Sequence, residues 1–174
     1  MQRPTISFRS SISTKAEATF VDPVPAVNSL NGIGVGDIDG DGIPDAVGAN
    51  FYEYGISVAL GLSDGGFSPW VITVPDTADM PDSPVFQPNG APVVADFEGS
   101  GTPAIAVTSF DRIWLFWPLA DGGLVPVVAS DQHWGGGNYI RQLSVADFNG
   151  DGSPDLLVNF ANVTAIQVAF NGCP

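Results

Sequence analysis

Four aspartates stand at alternating places in the stretch VGDIDGDGIPDAVGAN, residues 35–50, where Asp37, Asp39, Asp41 and Asp45 hold positions 1, 3, 5 and 9 of a loop. Gly40 and Gly42 lie between them and let the backbone wrap tightly. A loop of this kind can fold its oxygens around a hard cation, and Ca²⁺ takes about six to eight oxygen ligands in flexible geometry. Calcium is therefore the cofactor the stretch predicts, with the carbonyl of Ile43 as a further ligand. The second complete copy, VADFNGDGSPDLLVNF at 145–160, sets Asp147, Asn149, Asp151 and Asp155 at the same offsets, with Ser153 in the place of Ile43. A middle copy, VADFEGSGTPAIAVTSF at 94–110, keeps Asp96 and Glu98 but has Ser100 and Ala104 where the others have aspartates. It is expected to keep the turn and not the ion.

An EF-hand is excluded by the twelfth loop position, which in that motif is a bidentate glutamate leading into a helix. Here it is Gly48 in one loop and Val158 in the other, each within a short apolar run. All three copies share a frame of apolar residues, loop, proline (Pro44, Pro103, Pro154) and a second apolar run. The loops begin at residues 37, 96 and 147, and a period of this size marks stacked or radial repeats.

The pattern Asp-x-Asp/Asn-x-Asp-Gly-x-Pro-Asp followed by an apolar strand resembles the FG-GAP and VCBS-type repeats of integrin-like β-propellers. LGLSDGGF, residues 60–67, is similar to the glycine-rich turn between the last two strands of such a blade. The resemblance implies an all-β protein: a β-propeller of four-stranded blades, three per chain. It also implies that each metal loop joins the first and second strands of a blade on one face of the disc. Adhesion, sugar binding and enzyme-appended roles all occur on that fold.

Composition fits one extracellular β domain spanning 1–174. Hydrophobic residues make up 44% of the chain, enough for a core, and 21 glycines with 15 prolines suit short strands and tight turns. No apolar run is long enough to span a membrane, so no membrane insertion is expected. The opening MQRPTISFRSS lacks the pattern of a signal peptide. A net charge of −14 argues against a nucleic-acid partner. Nine of the 19 acidic residues lie in the three loops, so about half the acidity belongs to loop chemistry. Cys173 is the only cysteine and has no partner for an internal bridge.

Strand and turn signals divide the chain into repeats at approximately 33–74, 92–129 and 142–171. The third ends one strand short. Residues 1–22 resemble the third and fourth strands of the first repeat, since ISFRSSISTKAEATFVDPVP parallels ISVALGLSDGGFSPWVITVP, and they are expected to supply closing strands. Three blades are too few to close a ring, because propellers typically use about four to eight. A homo-oligomer is expected, most simply a dimer forming six blades; an excised piece of a longer propeller is the alternative.

The resemblance puts the loops from second to third strand, and those from one blade to the next, on the face opposite the calcium loops, and here they are rich in aromatics. Asn50, Tyr52, Tyr54, His133, Trp134, Asn138 and Tyr139 are the candidate ligand-binding residues, with Phe86, Gln87, Asn89, Phe110 and Asp111 nearby. Rings beside amides suit sugars, whose C–H faces stack while their hydroxyls take directed hydrogen bonds. His133 is the only histidine, and nothing beside it forms a nucleophile elbow, so no catalytic residue is assigned and the chain is not read as an enzyme. The sequence thus predicts a calcium-stabilised module at the cell surface or outside the cell, lectin-like or adhesive, with a glycan or glycoprotein partner. A structural assembly unit is the alternative, and an accessory domain of an enzyme a more distant one.

Overall fold

The computed structural model describes residues 30–75, 86–119, 123–128, 139–161 and 163–172. The described residues contain strands and turns and no helix. Three antiparallel sheets follow one another along the chain. The first is β1 (Leu30–Gly36), β2 (Asp45–Asn50), β3 (Gly55–Ala59) and β4 (Val71–Thr73), in that spatial order. The second repeats it with β5 (Val93–Ala95), β6 (Ala104–Ser109), β7 (Arg112–Pro118) and β8 (Leu124–Val128). The third has β9 (Ile140–Ala146), β10 (Asp155–Phe160) and β11 (Ile166–Ala169). The N-terminal segment expected to supply closing strands, like Cys173, lies outside the described residues.

Each acidic loop joins the first and second strands of its sheet, and the following turn lies at the other end of the second strand. Strand alternation then decides what packs. In the first sheet Val47 pairs with Val58 and Ala49 with Ile56, so their side chains share one face. That face meets Ile105 and Val107 of β6, Trp114 and Phe116 of β7, and Phe86, in one buried cluster. The opposite face of the second sheet offers Ala106, Ile113 and Leu115 to Ile140, Leu143, Leu156, Val158 and Phe160 of the third. The middle sheet is therefore covered on both sides. This is why β6, AIAVTS, is buried at every position instead of alternating with water.

Phe86 belongs to this core. It is 2% exposed and meets Trp114 and Phe116 edge-on, with ring centroids 5.0 and 5.4 Å away. It packs where a surface ligand cannot reach it.

Alternate glycines set the contact between the first two sheets. Gly32, Gly34 and Gly36 lie on the face of β1 that carries Val47 and Ala49 across the ladder. A Cβ at Gly32 would overlap the backbone of Ala91, one at Gly34 the carbonyl oxygen of Pro92, and one at Gly36 the side chain of Val94. The bare face lets β1 press its backbone against the segment entering β5. The other face of β1 carries Ile33 and Val35, which are 55% and 66% exposed. No helix among the described residues is long and apolar enough to cross a membrane.

Gly34→Val is expected to destabilise the fold by roughly 1–3 kcal/mol, the range for forcing extra methyl groups into a packed contact whose neighbour is backbone. Gly172→Ala, where the nearest atom would be an ordinary 3.7 Å away, is expected to change stability little. Urea denaturation of both variants checks the contrast; equal midpoints would show that the glycine face is not a close contact.

Candidate metal centres

All three loops are built by one carboxylate. Asp37 accepts the N–H groups of Gly40 at 2.8 Å and Gly42 at 2.9 Å, one on each oxygen. Asp147 does the same for Gly150 at 2.6 Å and Gly152 at 2.9 Å. In the middle loop Asp96 takes Ser100 at 3.0 Å and Gly101 at 2.7 Å. The glycines at the fourth and sixth positions all have positive φ, from 65° at Gly99 to 90° at Gly152. That left-handed backbone points successive N–H groups inward, and side chains with a Cβ adopt it only at a cost.

Further small turns tighten the ring. Asp39 accepts the N–H of Asp41 at 3.2 Å, and Asp41 accepts that of Ile43 at 2.7 Å. Asn149 and Asp151 repeat both bonds, at 2.9 Å to Asp151 and 2.8 Å to Ser153.

The ninth-position aspartates have a separate role. Asp45 is 1% exposed; one oxygen accepts the N–H of Ile38 at 2.6 Å and the other that of Gly61 at 2.7 Å. Asp155, fully buried, accepts Phe148 at 2.9 Å and Asn171 at 2.8 Å. Each thereby ties the start of its loop to the exit of the third strand of its sheet. Where Ala104 replaces the aspartate, the corresponding N–H of Phe97 turns to the carbonyl of Ala95 at 3.1 Å. Gly61 and Asn171 were not singled out from the sequence, because their contribution is a backbone N–H. The available signal was their matching place, two residues beyond the third strand.

In the first loop Asp37, Asp39 and Asp45 each bring a carboxylate oxygen within 4.8 Å of the others. Ligand oxygens on opposite sides of a Ca²⁺ stand about 5 Å apart, twice a typical Ca–O distance, so this set fits the ion. Asp41 lies outside that group. The crowding is visible in Asp39, whose carboxyl is pushed above its usual range by partial desolvation and by Asp41, Asp45 and Asp37, against the N–H of Asp41. Asp96 in the middle loop is held below the usual range, chiefly by the N–H of Gly101. Asp151 is lowered by the N–H of Ser153 and the amide of Asn149.

The other candidate residues are only partly brought together. Tyr52 and Tyr54, 70% and 45% exposed, occupy the turn between β2 and β3. Tyr139, just before β9, is 48% exposed, and its ring centroid is 6.1 Å from that of Phe110 in the turn between β6 and β7. Asn50 is fully buried instead, its amide directed to the carbonyls of Gly48 and Gly55 at 3.5 and 3.3 Å. The last ladder pair of β2 and β3 closes over it, so it is not on the surface with the tyrosines. His133, Trp134 and Asn138 lie outside the described residues.

Residues 96–158 match the family model of an FG-GAP-like repeat, a span running from the first aspartate of the middle loop into β10. No curated protein and no solved structure matches the chain.

Asp45→Ala strands two backbone N–H groups and is expected to cost about 2–6 kcal/mol in calcium-free buffer, at about 1–3 kcal/mol per unsatisfied buried group. Asp41→Ala, in the exposed part of the loop, is expected to stay within about 1 kcal/mol. Chemical denaturation in EDTA checks both; a neutral Asp45→Ala would show that the clamp contributes nothing without metal.

Proposed function

We propose that the chain is a calcium-stabilised extracellular binding module that presents an aromatic surface to a saccharide. The observation that carries this reading is the convergence of Asp37, Asp39 and Asp45 within 4.8 Å, in a loop whose hydrogen bonds recur around Asp147. Asp37, Asp39, Asp41, Asp45 and the Ile43 carbonyl would hold one ion. Asp147, Asn149, Asp151, Asp155 and the Ser153 carbonyl would hold the other. When bound, the ion supplies charge neutralisation that lets crowded carboxylates stay ionised and close together. The match of residues 96–158 to an FG-GAP-like repeat supports a binding or structural role over an enzymatic one.

The ligand surface is assigned to the turns at the far end of the strands. Tyr54 and Phe110 both have φ of 55°, a left-handed backbone that costs a non-glycine residue roughly 1–2 kcal/mol. Glycine or asparagine would occupy these turn positions at lower cost, and both residues are exposed, so core packing does not account for the rings. Strain of this type collects at ligand-holding sites. Tyr52, Tyr54 and Tyr139 supply stacking faces in this reading, and Trp134, His133 and Asn138, which shortly precede Tyr139 in the sequence, are included as further candidates. Asn50, being buried, is left out. The strongly acidic chain favours a neutral or cationic saccharide over a sulfated one.

Calorimetry is expected to find two calcium sites with dissociation constants of about 10⁻⁵ to 10⁻³ M, and EDTA to lower the melting temperature. Asp39→Ala and Asp151→Ala each remove one site. An absence of calcium heat, together with a melting temperature indifferent to EDTA, would refute the metal assignment.

A glycan array on the calcium-loaded chain tests the ligand assignment. Tyr139→Ala and Trp134→Ala are expected to abolish the signal while leaving the calcium-dependent melting temperature unchanged. A blank array refutes saccharide binding and favours the structural role.

A further inference from the structure

The third loop contains an Asn–Gly bond, Asn149–Gly150, at the centre of a hydrogen-bond arrangement that does more than shape a turn. The N–H of Gly150 is held by the Asp147 carboxylate at 2.6 Å. The side-chain carbonyl of Asn149 accepts the N–H of Asp151 at 2.9 Å, and its amide nitrogen donates to the Asp151 carboxylate at 2.8 Å. Both Asn149 and Gly150 are exposed, and Gly150 has φ of 81°, with no Cβ to crowd the approach of its nitrogen.

These are the groups that intramolecular deamidation needs. The backbone nitrogen of a residue following asparagine can attack the side-chain carbonyl carbon, provided its proton has an acceptor and the developing oxyanion a donor. Asp147 is that acceptor and the Asp151 N–H that donor. We propose that Asn149 is a site of spontaneous deamidation promoted by the native loop. The Gly150 nitrogen forms a bond to Cγ of Asn149. The Cγ–Nδ2 bond then breaks, and ammonia leaves carrying the proton taken from Gly150. Water opens the resulting succinimide. Attack at Cγ gives aspartate at 149, and attack at the main-chain carbonyl gives isoaspartate, with the chain continuing through the side chain.

The other three Asn–Gly bonds in the chain are placed differently. Gly32 lies in the β1 ladder, packed against Ala91. Gly90 is buried, and the Asn89 amide is directed to the Ile140 carbonyl at 2.9 Å. The Asn171 amide is directed to the Phe97 carbonyl at 2.6 Å, and its own N–H to Asp155. In the first loop the equivalent bond is Asp39–Gly40, with similar contacts from Asp37 and Asp41, but an ionised carboxylate is a much weaker electrophile than an amide, so the backbone nitrogen closes on it more slowly.

The aspartate product gives the third loop the same four carboxylates as the first, Asp37, Asp39, Asp41 and Asp45. Resting on the calcium reading above, this conversion tightens calcium binding at the third loop, because ligand charge tunes affinity. The isoaspartate product adds a backbone atom inside the ring and abolishes it.

The test is incubation of the full chain at neutral pH in EDTA, followed by peptide mass spectrometry and enzymatic methylation of isoaspartate. Asn149 is expected to convert about tenfold faster than Asn31, Asn89 or Asn171, a modest share of the ~10²–10⁴-fold that a positioned proton acceptor contributes in an enzyme. It is also expected to react at least as fast in the native chain as in urea, and Asp147→Asn to remove that native advantage. A native rate at Asn149 below its rate in urea, or equal to those of the other three asparagines, overturns the proposal. Added calcium tests the metal reading separately: protection at Asn149 supports it, and an unchanged rate counts against the metal while leaving the EDTA result intact.

Discussion

A carboxylate that accepts two backbone N–H groups from its own loop is the interaction on which the rest depends. Asp37, Asp96 and Asp147 each do so, and the fourth and sixth positions of each loop must then adopt positive φ. Glycine meets that demand without a Cβ penalty. The loop is thus closed by hydrogen bonds before any ion is considered, which accounts for the persistence of the turn around Asp96 after two of its companions have become Ser100 and Ala104. Shape and charge are separable here: the first-position aspartate fixes the shape, and the third, fifth and ninth positions adjust the charge it encloses.

The ninth-position aspartate links the loop to the sheet. Asp45 and Asp155 hold a loop N–H with one oxygen and an N–H beyond the third strand with the other. Burying a carboxylate is costly unless its oxygens are satisfied, and both are. Asn171 extends the linkage to the next sheet by donating to the carbonyl of Phe97 in the middle loop. In the proposed calcium sites an ion would act on sheet packing as well as on the loop, because the proposed ligands include the residue that fastens the third strand.

Between the sheets the controlling constraint is size. The central strand β6 of the middle sheet is buried on both faces, and the sheet turns large side chains toward the first sheet and Ala106 among those toward the third. The first sheet approaches through the bare face of Gly32, Gly34 and Gly36. At the far end of the strands, where packing relaxes, aromatic residues occupy strained turns, and the surface there is free to differ from the repeated frame.

The strand order within each repeat, the separation of strands by loops, and the distinction between two complete loops and one depleted loop were legible in the sequence. They rest on local chemistry: alternation of apolar residues, glycine at left-handed positions, and carboxylates at fixed offsets. Three things required the tertiary structure. The partners of Asp45 and Asp155 are backbone N–H groups sixteen residues further on, and any residue but proline supplies one, so sequence type carries no signal. Asn50 and Phe86 have the composition of a binding surface but are buried, because ladder pairing and a neighbouring sheet decide exposure. The spacing of Gly32, Gly34 and Gly36 was open to reading, yet only the approach of the segment before β5 shows that the glycines make room for another backbone, since the missing side chains acquire meaning from what fills their space.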